Sequence, residues 1–281
     1  MSDGPIDRDE FAGFRFGLKK DRPDDRDYPL FRAPVNVDTL PKTKSLKKHL
    51  PDPDMMDQGP TGSCVGYSGV QTSFLSMIAN KHFAPFIGSP VFGYREARLL
   101  GGYVEEDSGT ELRLFWKAMA LRGLPRFEEW PPNFRPEHLA DRNGIFPPNS
   151  VWRMPPPQPV YDSAAKTQAI RYYRLYNSAE CMKCIADGFP FQLGYAVYNS
   201  NFKNGNPVFT LKMPSKNDYI VGYHAVTAFE YSRKTNRFYL QNNWGKTAHE
   251  GRPHFSMPFE YLDKHKLDIW TVRIIEGGML Q

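Results

Sequence analysis

Gln58-Gly59-Pro60-Thr61-Gly62-Ser63-Cys64 runs directly into Val65-Gly66-Tyr67-Ser68-Gly69-Val70. Turn-forming Gly and Pro give way to apolar positions at Val65, Val70, Phe74, Leu75 and Ile78, a spacing that predicts a helix starting near Cys64. A thiol at a helix N-terminus faces unpaired N–H groups and the positive end of the helix dipole, and both favour thiolate. That is one of the settings in which cysteine becomes a nucleophile. The commoner fate of a lone cysteine is to be buried as a small apolar residue.

Two downstream segments weigh against the bland reading. Gly222-Tyr223-His224-Ala225-Val226 lies in an apolar, β-prone run, and Tyr239-Leu240-Gln241-Asn242-Asn243-Trp244-Gly245 follows it. Cys, His and Asn in that order, with Gln six residues ahead of the Cys, resemble the papain-like (C1 family) cysteine peptidases of the bacterial and viral type with a short leader. The resemblance covers about Val35 to the C-terminus. It implies that Gln58 is the oxyanion-hole donor, Cys64 the nucleophile, His224 the base and Asn242 the residue that orients the imidazole, with Trp244 shielding the His–Asn hydrogen bond. It also implies an α+β fold of two lobes, a helical left lobe and an antiparallel β-barrel-like right lobe with the active-site cleft between them. By the same likeness Ser108 and Gly109 offer backbone contacts to an extended substrate, and Tyr223, beside His224, belongs to the substrate-binding residues. Several positions depart from the family pattern. Thr61 stands where secreted members carry a disulfide Cys, Val65 replaces an aromatic, and the His and Asn lie 160 and 178 residues after the Cys, a wider spacing than usual.

Composition narrows the remaining classes. With 281 residues, 40% of them hydrophobic, the chain is long enough to bury a substantial core. Its charge of +5 is spread over interleaved acids and bases, without the basic, aromatic-studded stretch that nucleic-acid binding needs. The start, MSDGPIDRDE, lacks the charged and apolar regions of a Sec signal, and no stretch is apolar enough for a membrane span. The expectation is therefore a cytoplasmic protein or one delivered by a non-Sec route, with no nucleic-acid or membrane partner. Three cysteines cannot build a disulfide framework. Cys181 and Cys184 form a CxxC on what reads as a short helix, without a second pair to complete a zinc site, and the seven histidines show no ligand spacing. Neither metal nor cofactor is expected.

The predicted organisation is a leader over 1–37 and a catalytic domain over 38–281. The helical lobe spans about 57–158, and the β lobe about 159–281 plus 38–56. The leader carries Phe11, Phe14, Phe16, Tyr28 and Phe31, aromatics with which it can pack on the catalytic domain near the cleft. Val35–Asp38 reads as an opening strand and 40–56 as a surface insertion. A helix over 64–80, a second from Pro90 capped by Ser89 and a third ending at Gly123 build the first lobe. A Pro-dense excursion over 124–160 wraps its outside. In the second lobe, strands are expected over 169–176, 189–198 (interrupted at Pro190 and Gly194), 219–230, 237–241 and 267–275, with a closing hairpin over 251–262. The function this implies is an endopeptidase acting on peptide or protein substrates through a Cys64 thioester. Two alternatives stand beside it: an acyltransferase or cross-linking enzyme using the same thioester, and an inactive peptide-binding module.

Overall fold

The structure, a computed structural model, describes residues 14–80, 84–168, 170–246 and 248–274. Phe11, Ala169 and Ile275, to which some of these expectations extend, lie outside the described residues. The chain begins with β1 (Leu18–Lys19), then β2 (Thr43–Ser45), before α1 (Cys64–Asn80), α2 (Pro90–Gly101), β3 (Thr110–Glu111), α3 (Leu112–Arg122) and α4 (Gln158–Ala165). After these come β4 (Ile170–Arg174), α5 (Ser178–Ala186), β5 (Phe191–Tyr198), the small hairpin β6 (Phe202–Lys203) and β7 (Asn206–Pro207), and β8 (Ile220–Ser232). The chain finishes with β9 (Arg237–Gln241), β10 (His254–Pro258), α6 (Phe259–His265) and β11 (Lys266–Ile274).

Each first-lobe helix has a local cause. Ser89 Oγ accepts the N–H of Phe92, Pro90 fills the first helical position, and Gly102 ends α2 in the left-handed conformation. α1 is buried on all sides from Cys64 to Ser73, because it runs between α2 and α3 on one side and the sheet on the other. Small residues line it, so its neighbours approach closely, and hydroxyls tie it down. Thr227 Oγ1 on β8 donates to Ser68 O at 2.8 Å, and Gln192 Nε2 on β5 donates to Val65 O at 2.9 Å. Among the described residues no helix is long and apolar enough to cross a membrane.

The second lobe is one antiparallel sheet of seven strands, ordered β10-β9-β8-β5-β11-β4, with β2 pairing β8. It separates two cores. Trp270, Val272 and Ala225 face the helical side with Trp116, Phe115 and Trp152, whereas Phe191, Leu193, Val226, Ala228 and Ile269 face a second core with Cys181, Cys184, Tyr261 and Leu262. Among the described residues β10 and β4 do not pair, so the sheet does not close. The barrel-like lobe expected from the sequence is therefore an open sheet, with β10 and β4 at its ends.

Other expectations are corrected as well. Val37–Thr39 forms a 3-10 turn rather than a strand, because Asn36 caps it through Asp38 N. Within 40–56, residues Thr43–Ser45 join the sheet against Glu230–Ser232. Gly194 does not interrupt β5, since Leu18 fills the space over it. The expected closing hairpin is half helix, because the chain turns into α6 directly after Pro258. Cys184 Sγ lies 3.3 Å from Thr271 Oγ1, and both cysteines of the CxxC are free and buried.

The segment before the first lobe is tied to both lobes. β1 pairs in parallel with β3. Farther on, Asp21 is buried beside Asp268 of β11: its N–H donates to Asp268 Oδ2 at 2.8 Å, and its own carboxylate accepts from Trp270 Nε1 at 2.7 Å and Arg113 N at 3.0 Å. Arg174 of β4 bridges Asp268, Asp21 and Asp27, and Arg113 of α3 also reaches Asp27, at 2.6 Å.

Candidate active site

Cys64 is the first residue of α1 and has no exposed surface. The backbone N–H groups of Ala225 and Gly17 lie near enough to its thiol to favour the thiolate. Ala225 adjoins His224 on β8. The chain leaving β9 at Gln241, paired with Thr227, runs back beside that end of the strand. There Asn242 Oδ1 lies 2.8 Å from His224 Nε2, and Asn243 Nδ2 donates to Cys64 O at 3.0 Å. Trp244 stacks on the His224 ring with centroids 4.1 Å apart and planes 25° from parallel, which covers that hydrogen bond. His224 Nδ1, buried, has no hydrogen-bond partner. Gln58 is buried in the turn before the helix, with Nε2 donating to Thr61 O at 2.6 Å and to Arg15 O at 3.2 Å.

Cys64, His224, Asn242, Gln58 and Trp244 thus meet at one end of α1. The substrate-binding candidates meet the leader instead. Ser108 Oγ accepts Lys19 Nζ at 2.9 Å, and the N–H after Gly109, that of Thr110, donates to Gly17 O at 2.9 Å. Gly109 has φ +74°, and a Cβ on it would lie 2.2 Å from Gly17 O, so only glycine fits. Tyr223 is exposed and lines a cavity with Leu18, Lys20 and His265. Phe14 and Phe16 reach Trp244, with ring centroids 4.9 and 5.8 Å away. Residues 14–19 therefore run past the turn before Cys64 and against Trp244. Gly17 is required there, because a Cβ would fall 1.7 Å from Gly62 O.

That cover changes the electrostatics expected of the pair. Burial pushes the Cys64 thiol up to about 12, against the pull of the Ala225, Gly17 and Val65 N–H groups. Burial likewise takes His224 down to about 3, against its hydrogen bond to Asn242. Contrary to the thiolate favoured by a helix N-terminus, both shifts run toward the neutral forms. Removing water penalises both charges more than local dipoles favour them.

Three contributors escape a reading of the sequence. Asn243 holds Cys64 O, as above. Asp107, half-buried, accepts Gly62 N at 2.9 Å and the Tyr94 hydroxyl at 2.8 Å, bracing the turn before Cys64. His249 lies behind Asn242, its Nε2 at 2.5 Å from Asn242 Nδ2. Metal-ligand spacing is the one signal by which the sequence sorts its histidines, and it does not single out His249.

No family model matches the chain. It is similar to an uncharacterized peptidase C1-like protein of Acanthamoeba polyphaga mimivirus, 24% identical over 293 aligned positions that take in 94% of this chain and 88% of the relative. Among solved structures it resembles xylellain, a cysteine protease from Xylella fastidiosa, with a TM-score of 0.83 at 28% identity, covering 97% of this chain and all of that one (100%). The fold also matches the bromelain protease of Ananas comosus, with a TM-score of 0.57 at 14% identity over 84% of this chain and 100% of that one.

Proposed function

We propose that this chain, a papain-like cysteine peptidase by kinship and fold, hydrolyses peptide bonds with Cys64 as nucleophile and His224 as base. The observation that carries the reading is the buried His224 ring. Its Nε2 is engaged by Asn242 and its Nδ1 is unpaired, one residue from an N–H that lies toward the Cys64 sulfur. In the first step His224 Nδ1 takes the thiol proton and Sγ bonds to the scissile carbonyl carbon. The negative charge on the carbonyl oxygen is met by Gln58 Nε2 and the Cys64 N–H. The C–N bond then breaks, the proton on Nδ1 leaves with the amine, and a thioester remains. Water attacks it, its proton passes to Nδ1, and the acid product departs as the thiol is restored.

In the arrangement described, residues 14–19 hold the site closed. Gln58, the oxyanion donor, is engaged by Arg15 O, and Gly17 lies toward the sulfur. A segment placed there keeps a substrate from the nucleophile. Incubating the Gly17→Ala full chain, whose added Cβ displaces the leader, and the same chain carrying Cys64→Ala with a peptide library and reading products by mass spectrometry tests the activity. Cleavage only where Cys64 is present is expected, and cleavage by both would overturn it. With excess amine present, amide products in place of acids would show transfer rather than hydrolysis.

A further inference from the structure

We propose that His249 is a positioning residue, which locks the Asn242 amide and thereby decides which nitrogen of His224 faces the thiol. The proposal rests on the peptidase reading for its consequence, and its geometry stands apart from that reading. His249 is 2% exposed, and its ring stacks on Phe255 with centroids 4.8 Å apart. Its backbone is held by reciprocal bonds with Arg252, at 2.9 and 3.1 Å. Its Nδ1 lies 2.8 Å from Val208 O. A carbonyl oxygen only accepts, so Nδ1 carries the hydrogen, and in the neutral ring Nε2 is a bare acceptor. Burial favours that neutral ring, taking His249 down to about 4.

The rest follows atom by atom. A bare Nε2 at 2.5 Å requires a donor, so the Asn242 amide turns its Nδ2 toward His249. Oδ1 then points the other way, where it meets the N–H of Asn243 at 2.8 Å and His224 Nε2 at 2.8 Å. An amide oxygen cannot donate, so His224 Nε2 carries the hydrogen and Nδ1 is left bare, as the acceptor a thiol proton needs. One backbone carbonyl, Val208 O, thus sets the protonation of the base through two side chains, His249 and Asn242. The N–H of Asn243 supports the same orientation. Without His249, though, Nδ2 becomes a buried donor with no partner, and a flipped or rotated amide becomes competitive.

The test is the ring 15N spectrum of the full chain, which reads tautomers whether or not the protein turns over substrate. Wild type is expected to show His249 protonated at Nδ1 alone and His224 at Nε2 alone. His249 protonated at Nε2 would overturn the proposal without any variant. In His249→Leu the His224 signal is expected to become a mixture of tautomers. In His249→Gln, whose side-chain oxygen reaches the Nε2 position without titrating, the single tautomer should return. Unchanged His224 in the leucine variant, or equal disturbance in both variants, would overturn the proposal. In turnover the leucine variant should lose about tenfold in kcat with KM nearly unchanged, the usual scale for a partner behind a site residue. The glutamine variant should recover most of that loss. If Cys64→Ala still cleaves peptides, the peptidase reading falls, while the tautomers of His249 and His224 still decide the positioning role.

Discussion

At the scale of single residues, the state of the site turns on Gly17. Its N–H lies toward the Cys64 sulfur, and its missing Cβ leaves room for Gly62 O. Gly17→Ala must push the leader off, because the obstructing atom is backbone and cannot swing aside. Overpacking of this kind costs about 1–3 kcal/mol, so alkylation of Cys64 in the full chain should accelerate by about 5- to 150-fold at pH 7. An unchanged rate would mean that the leader does not govern access to the thiol. Gln58 makes the complementary case from the catalytic side. Removing an oxyanion donor typically costs about 3 kcal/mol, so Gln58→Ala should lower kcat by about 100-fold or more with little change in KM. A loss confined to KM would assign Gln58 to binding.

At the scale of elements, α1 carries Cys64, the proposed nucleophile, and the helices around it keep it in place. α2 depends on Ser89, whose Oγ accepts Phe92 N at 3.0 Å and donates to Trp130 O at 2.5 Å. Ser89→Ala should therefore lower stability by about 1–2 kcal/mol, read as a lower midpoint in denaturant, while kcat stays at the wild-type value. Both the start of α1 and the Ser89-Pro90 cap were legible in the sequence, because turn residues, caps and apolar spacing are local signals. The strand carrying His224 and the segment of Asn242 were legible for the same reason, helped by the family likeness. What was not legible depends on distant partners. His249 acquires its meaning from Val208, 41 residues away, and from an amide it touches only after folding. The 3-10 turn at Val37–Thr39 exists because the Asn36 side chain competes with strand geometry, and the open edge of the sheet depends on which strands finally pair. The placement of Gly17 near Cys64 is likewise a tertiary fact, set by β1 finding β3.

At the scale of the whole molecule, the leader is anchored by a charge cluster that spans both lobes. Asp21 and Asp268 lie side by side with no exposed side-chain surface, and with Asp27 they share two guanidinium groups, Arg174 and Arg113. Arg22 pairs with Glu111, and Arg26 with Asp24, at its rim. With Asp24 also 4.0 Å from Arg113, the carboxylates outnumber the guanidinium groups they face, which favours uptake of a proton. Burial, reinforced by Asp268, pushes Asp21 up to about 7, and burial raises Asp268 as well. A carboxyl raised in the docked form strengthens docking on the acid side, and that contribution is lost as the pH rises through about 7. Between pH 6 and 8, the rate of Cys64 alkylation in wild type relative to Asp21→Asn should climb, since the asparagine cannot titrate. A ratio that stays flat would detach the cluster from control of the leader. The most direct test of the central claim, that Cys64 is a nucleophile served by His224, is covalent labelling of the Gly17→Ala full chain by an epoxysuccinyl inhibitor, with the adduct located by mass spectrometry. The account predicts a single adduct on Cys64 that disappears when His224→Ala is added. Labelling that persists without His224, or that falls on Cys181 or Cys184 instead, would contradict it.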